Sequence, residues 1–332
     1  MELSSRKKAI LSAVIQSYIE TGTPVGSKIL TGLLENAPSS ATLRSEMSEL
    51  CNLGYLSQPH TSAGRVPTSL GFNLYVNSLM PHGTLNDNEK QFIDNRFANM
   101  SCNPEDVPNF AGQVLSDLTG LPAITCLVAG KSATVSQVEL VSIGFKSLLL
   151  LVITSDGRAR NRIFKPASPL TNDEYEYFKS TVSRKIVGQT VDKITMPFMQ
   201  SIIAKSGVYS LSLLPVFTAL FEAAANIEDT SVTLIGENKL YGICDEQKAN
   251  RILSLVKQRD SLITLLSGVK NVGVIFGDST GLSELYSDTL IAGEFNNNLH
   301  KGVIGVIAPY RVSYNRIMPS VEYIASKLME EK

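Results

Sequence analysis

Hydroxyls, a guanidinium and an imidazole that could contact a polyanion cluster between Ser39 and Arg65, where the chain reads SSATLRSEMSELCNLGYLSQPHTSAGR. On a 3.6-residue wheel Leu43, Met47 and Leu50 form an apolar stripe that must be buried. The opposite side carries Ala41, Ser45, Ser48 and Asn52, with Arg44 on its flank. Short polar side chains and one guanidinium can sit close against base edges and hydrogen-bond to them. Ser39, Ser40 and Thr42 stand at the start of this helix, where amides and hydroxyls would face the same groove. A small polar surface helix would have the same composition, so the helix alone does not decide.

The residues that follow it do. Gly54 stops the helix, and a short strand over Tyr55–Pro59 leads into Thr61-Ser62-Ala63-Gly64. Small residues and a Gly suit a sharp turn and let phosphates approach. Arg65 ends the turn, and His60 lies in it, facing DNA backbone or nothing. Helix, Gly stop and β-hairpin with a basic tip outline a winged helix, in which one helix enters the major groove and the wing touches backbone or minor groove. In that reading Arg65 and the Thr61 and Ser62 hydroxyls meet the backbone or minor groove.

Upstream, Ser4-Ser5 cap a first helix whose stripe is Ile10, Val14 and Tyr18, and Gly22 ends it. Its first turn holds Arg6, Lys7 and Lys8, the unfavourable end for cations. A phosphate nearby would relieve that conflict; a solvated basic turn is the other reading. A second helix spans 27–34, and Thr68 caps another over 69–80.

No other chemistry stands out. The glycines at 302 and 305 sit in an apolar strand and read as close packing, not as a phosphate cradle. His60, His82 and His300 are far apart, and Cys51, Cys102, Cys126 and Cys244 show no metal spacing. No paired acids and no nucleophile elbow are evident, so an enzyme ranks last and no cofactor or metal is expected. Tyr310, Arg311, Tyr314 and Arg316 could line a ligand site or serve as interface residues; the second is favoured.

The 332 residues predict two or three domains. Net charge is −1, so no global field draws the chain to nucleic acid. Residues 1–80 hold six Lys/Arg against five Glu, a weak basic footprint in which arrangement matters more than the sum. Scattered thiols and the absence of an apolar N-terminal segment point to a reducing cytoplasm. The longest apolar run, Leu148–Ile153, is too short to span a bilayer, and no membrane partner is expected.

PVGSKIL (24–30), SSATLRSEM (39–47) and GYLSQPHTSAGRVPTSLGFNLYV (54–76) closely resemble the heat-inducible transcription repressors of the HrcA type, as does the ending GVIGVIAPYRVSYNRIMPSVEYIASKL (302–328). Two positions depart from that family's pattern: Ser45, where Asn is usual, and Asn73, where Arg is usual. The resemblance implies an α+β chain: an N-terminal winged helix-turn-helix, then a GAF-like domain interrupted by an inserted dimerisation domain. It implies a homodimer on double-stranded DNA with an inverted-repeat operator before chaperone operons. It also implies dependence on the GroE-type chaperonin and a bacterial cytoplasmic, nucleoid-associated location. A ligand-gated regulator with a small molecule in the sheet domain is the alternative.

The expected layout is 1–80 DNA-binding, 81–104 connector, 105–170 first part of the sheet domain, 171–243 insert and 244–332 second part. Within it, strands are predicted at 123–129, 137–143, 148–155, 158–164, 232–235, 239–243, 271–276, 288–296 and 302–308. Asp156-Gly157 marks a hairpin. Helices are predicted at 87–99, 105–118, 173–187, 197–205, 213–226, 246–257 and 314–329.

Overall fold

The computed structural model describes residues 3–34, 37–60, 64–102, 106–128, 133–144, 146–155, 157–166, 168–225, 230–297 and 301–330. The Asp156 half of the expected hairpin turn lies outside them; Gly157 has φ 81°.

The N-terminal elements follow the expected order: α1 (Ser5–Thr21), α2 (Ser27–Leu33), α3 (Ser40–Asn52), β1 (Leu56–Ser57) and β2 (Val66–Pro67). Ser4 caps α1 and Gly22 closes it in the left-handed region. Next comes α4 (Ser69–Leu74), capped by Thr68, and it does not run on to residue 80 as one helix. From Tyr75 to Leu79 it widens into a π-turn, ended where the Met80 amide donates to the Tyr75 carbonyl. Beyond it α5 (Asp87–Ala98) starts on a reciprocal Asn86–Glu89 capping box, and α6 (Val107–Thr119) follows.

A five-stranded antiparallel sheet holds β3 (Ala123–Val128), β7 (Ser231–Ile235), β8 (Val272–Phe276), β9 (Asp288–Asn296) and β10 (Lys301–Pro309) in the order β7-β3-β10-β9-β8. A second sheet, in the order β4-β5-β6, is made of β4 (Val135–Gly144), β5 (Ser147–Thr154) and β6 (Ala159–Phe164). The remaining helices are α7 (Asn172–Lys185), α8 (Met196–Ala204), α9 (Ser210–Ala225), α10 (Leu240–Ile243), α11 (Glu246–Lys257), α12 (Asp260–Leu266) and α13 (Tyr314–Glu330). The chain is therefore of mixed α+β class, with antiparallel sheets.

Strands β9 and β10 read as near-continuous apolar runs because both faces are covered. Ile291, Phe295, Ile304 and Val306 pack with α6, α13 and the N-terminal helices. Leu290, Ala292, Val303 and Ile307 pack with α10, α11 and α12.

The three-stranded sheet belongs to a different core. Along β5, Leu148, Leu150 and Val152 point inward, and Leu150 and Val152 join Phe178, Val182, Met199, Ile202, Val216, Phe217 and Leu220 from α7, α8 and α9. The Val191 amide donates to Ala133 and the Val135 amide to Gln189, tying the loop after α7 to the start of β4. Gly207–Ala224 is long and apolar enough to cross a membrane by composition, yet Leu213, Val216, Phe217 and Leu220 on it are fully buried in this core.

Further features differ from the sequence expectation. First, this core runs from Ala133 to Ala224, so β4–β6 pack with the helical block rather than on the five-stranded sheet, and β7 returns to that sheet. Second, residues 239–243 are not a strand. Gly236 (φ 74°) turns the chain out of β7, and the Lys239 ammonium bonds Ser116 Oγ at 2.8 Å, so a 3-10 turn and α10 follow with Leu240 buried. Helix α12 was not expected at all.

Candidate nucleic-acid interface

Helix α3 divides cleanly into two sides. Leu43 and Leu50 are fully buried and Met47 nearly so, while Ala41, Arg44, Ser45 and Asn52 are exposed and Ser48 is half-buried. Burying those three apolar side chains contributes roughly 1.5–3 kcal/mol each, which fixes the rotation of the helix and with it the open face.

The helix start is pinned by its own hydroxyls. Ser39 Oγ accepts from the Thr42 amide at 3.2 Å and lies 2.9 Å from Thr42 Oγ1. Ser40 Oγ lies 2.8 Å from Ser27 Oγ at the start of α2. Thus Ser39, Ser40 and Thr42 build the end of the helix as well as facing outward. The Ser27–Ser40 contact also brings Lys28, exposed and next in sequence, toward the same end. Sequence reading passed over Lys28; the only signal was its place one residue after a helix start.

The acids of α3 are neutralised from behind. Lys7 Nζ lies 2.7 Å from Glu49 and 3.6 Å from Glu46, and Arg6 lies 3.9 Å from Glu46. The Glu49 hydrogen bond leads in raising the Lys7 pKa. Arg6 and Lys7 in the first turn of α1 are therefore matched by α3 carboxylates of the same chain, a third outcome beside the phosphate and solvated readings. Arg44 is left as the charge of the exposed α3 face.

The hairpin pairs Leu56 with Pro67 and Ser57 with Val66, a shorter ladder than the expected 55–59 strand. A third short strand joins it: Val25 and Arg65 exchange both backbone hydrogen bonds at 2.8 Å. Arg65 thus stands where the hairpin loop leaves the ladder, next to the Ser57–Val66 pair, half-buried, with Nε buried and unbonded among the described residues. His60 is exposed; Thr61 and Ser62 lie outside the described residues. Thr68 straps the hairpin, its hydroxyl donating to the Gly54 carbonyl at 2.6 Å and accepting from the Gly71 amide at 3.1 Å. Asn73, exposed on α4, accepts from the Asn77 amide group at 3.0 Å on its carbonyl.

Gly64 is needed for closeness, not for a left-handed φ. A Cβ there would come 2.5 Å from the Val25 carbonyl carbon and oxygen. Gly64→Ala is expected to break the Val25–Arg65 exchange and to cost about 1–3 kcal/mol, the usual penalty of overpacking. Urea denaturation measures the cost, and faster hydrogen exchange at the Val25 and Arg65 amides would locate it.

The family model described as "HrcA protein C terminal domain" matches residues 105–318. A heat-inducible transcription repressor HrcA of Clostridium botulinum (strain Eklund 17B / Type B) is 28% identical over 334 residues, covering 99% of this chain and 97% of that protein. One of Clostridium perfringens (strain SM101 / Type A) is 29% identical over 335 residues, covering 99% and 98%. A crystal structure described as that of a hypothetical protein shares the fold, with a TM-score of 0.60, 22% identity and coverage of 99% and 98%. That family consists of transcription repressors, not enzymes. With its model spanning most of the length and such relatives matched nearly end to end, the chain belongs to the HrcA family of heat-inducible transcription repressors.

Proposed function

We propose that this protein is a sequence-specific, DNA-binding repressor of heat-shock chaperone operons that reads an inverted-repeat operator as a homodimer. The observation that carries the reading is the exposed, short, singly charged face of α3, held by a fully buried stripe beside a three-stranded hairpin sheet. The order α1, Val25 strand, α2, α3, β1, β2 supports a winged helix over residues 1–80. The five-stranded antiparallel sheet covered by helices supports a GAF-like domain. The insert in it is residues 133–225, the span of the separate core, in place of 171–243. Residues 81–104 form the connector.

In this reading Ala41, Arg44, Ser45, Ser48 and Asn52 face the major groove, with Ser39, Ser40 and Thr42 at its edge. Arg65, His60, Thr61 and Ser62 belong to the wing. Two copies join through the outer face of the β4–β6 sheet. On that face Val141 and Ile163 flank Leu149 across the strands, and Leu151 and Ile153 extend the row. Val141 is 45% exposed and Ile163 59%.

The split sheet supports dependence on a GroE-type chaperonin. Strand β3 must wait for β7 and β10, pairing Val128 with Lys301 and Ala123 with Ile235, and such distant pairings fold slowly. A small molecule over the sheet is the weaker reading, because both faces of β9 and β10 are filled with apolar side chains.

Gel shift on the region upstream of the host's chaperone operon, with and without chaperonin and ATP, tests the proposal. A shift on the inverted repeat that chaperonin strengthens is expected; equal binding to any duplex would sink it. Arg44→Ala should cost about tenfold to a hundredfold, the worth of a good base contact. Arg65→Ala should weaken binding to all sequences and lower the salt slope by about one unit for each phosphate the guanidinium neutralises. An unchanged slope would remove Arg65 from the interface.

A further inference from the structure

We propose that an aromatic joint fixes the DNA-reading module on the five-stranded sheet at one orientation, so that the body of the protein, and not a tether, sets the operator half-site spacing. The inference rests on the DNA-reading function above and adds what positions the two modules.

The joint centres on Phe72 of α4, which is 1% exposed. Its ring lies 6.5 Å from Phe276 at the end of β8, 5.8 Å from Tyr310 after β10, and 6.1 Å from Tyr314 at the start of α13. Phe276 and Tyr310 meet edge-on at 5.3 Å. Both tyrosines are tied down at their hydroxyls. Tyr314 donates to the Tyr310 carbonyl at 2.8 Å, and Tyr310 accepts from the Asp278 amide at 3.1 Å. Burial raises the pKa of both.

The connector is clamped as well. Arg316 Nε meets Glu89 at 2.7 Å, Tyr323 donates to Asp94 at 3.0 Å, and Phe97 packs edge-on against Phe110 of α6 at 5.7 Å. At Gly83 any Cβ would collide with the Asn315 backbone, so chain meets chain directly there. Domains joined by small polar contacts move freely relative to one another. Here one apolar core runs unbroken from Ile10 on α1 to Leu328 on α13, so that freedom is lost.

A two-fold dimer reads half-sites at a set distance, and one added base pair moves a half-site by about 3.4 Å and about 35°. A module fixed on the five-stranded sheet cannot follow by turning at this joint. Tyr310, Arg311 and Arg316 therefore act as positioning residues at this joint, Arg311 through its contact with Gly22 at the end of α1.

The test measures affinity for the operator and for derivatives with one or two base pairs added between the half-sites. The unaltered full-length protein is expected to lose at least a hundredfold at two base pairs. The double variant Tyr310→Ala, Arg316→Ala should bind the natural spacing more weakly and lose tenfold or less on insertion. Four Gly/Ser residues inserted between Pro81 and His82 should leave the spacing profile unchanged, since the module is held through Phe72 and not through the chain between those two residues. Equal spacing profiles for the protein and the double variant, or a profile broadened by the insertion, would overturn the proposal.

Spin labels at Leu53→Cys and Ser283→Cys read the orientation without DNA. A narrow distance distribution that broadens in the double variant is expected, and a broad one in the parent overturns the joint. If the double variant misfolds, Arg316→Gln with Glu89→Gln serves in its place. A narrow distribution in a protein that binds no duplex would instead fault the DNA-reading assignment.

Discussion

Val141→Glu combined with Ile163→Glu is expected to yield a folded monomer whose operator affinity is lower by about a hundredfold to ten-thousandfold. Both residues lie on the outer face of the three-stranded sheet, opposite Leu149 in the register. On the inner face of the same sheet Leu150 and Val152 of β5 pack against the helices of the insert, and Leu148 is buried in line with them. An antiparallel sheet can leave one face in water when that face is polar. This one carries Val141, Leu149, Leu151, Ile153 and Ile163, with Glu139 and Gln137 on β4 among them.

A second copy related by a two-fold axis presents the same row to it. Two glutamates per copy would place four carboxylates in an apolar seam, where their desolvation is not compensated. The affinity loss follows from linkage: two joined modules gain about 10²–10⁴ over one through effective concentration. Sedimentation or native mass measurement reads the assembly, and gel shift reads the affinity. A variant that remains dimeric would move the seam elsewhere, with the exposed stripe Val208, Leu211 and Leu214 next to be tested by Leu211→Glu.

Lys248→Met is expected to cost about 3–5 kcal/mol, the range for removing one partner of a buried ion pair. Lys248 Nζ lies 2.7 Å from Asp288 Oδ2 and donates to the Tyr286 carbonyl at 2.8 Å, and Asp288 is 2% exposed. Burial pushes the Asp288 carboxyl above the usual range, and Lys248 pulls it part of the way back. A raised carboxyl pKa means that the folded state holds the proton longer than the unfolded one. Its contribution to stability is therefore greatest at low pH and falls as pH rises from the ordinary Asp range through the folded value.

Without Lys248 that fall becomes steeper, so the variant should lose more stability between pH 5 and pH 8 than the parent does. Asp288→Asn added to Lys248→Met should flatten the profile again. Urea midpoints at the two pH values measure this. A cost below about 1 kcal/mol would mean that the pair behaves as a solvated surface contact. The pair also stands at the sheet end that carries Tyr310, whose amide donates to the Ser287 carbonyl, so the same variant should weaken the joint to the N-terminal module.

The features legible in the amino-acid sequence are local ones. The stripe Leu43–Met47–Leu50 set which side of α3 is buried, because a 3.6-residue period admits one partner face. Ser4, Ser39 and Thr68 marked their helix starts, because each side-chain oxygen reaches an amide two or three residues on. The apolar runs of β9 and β10 announced strands covered on both faces.

The other features depend on residues far apart in the chain and become visible only once it is folded. Alternation along β5 shows that one face is buried but not which body buries it, and the helices of the insert took it. An apolar Leu240 suits a strand as well as a helix until Gly236 and the Lys239–Ser116 bond turn the chain. Lys7 reads from the sequence as phosphate-facing or solvated in the first turn of α1, and it is the partner of Glu49 where α1 crosses α3. Arg65 read as a fingertip and proved to be stapled to Val25, because a short hairpin gains a third strand wherever another extended segment passes within hydrogen-bonding distance. Periodicity and capping are written within a few neighbouring residues, whereas the choice of partner is settled by competition among all surfaces that the folded chain brings together.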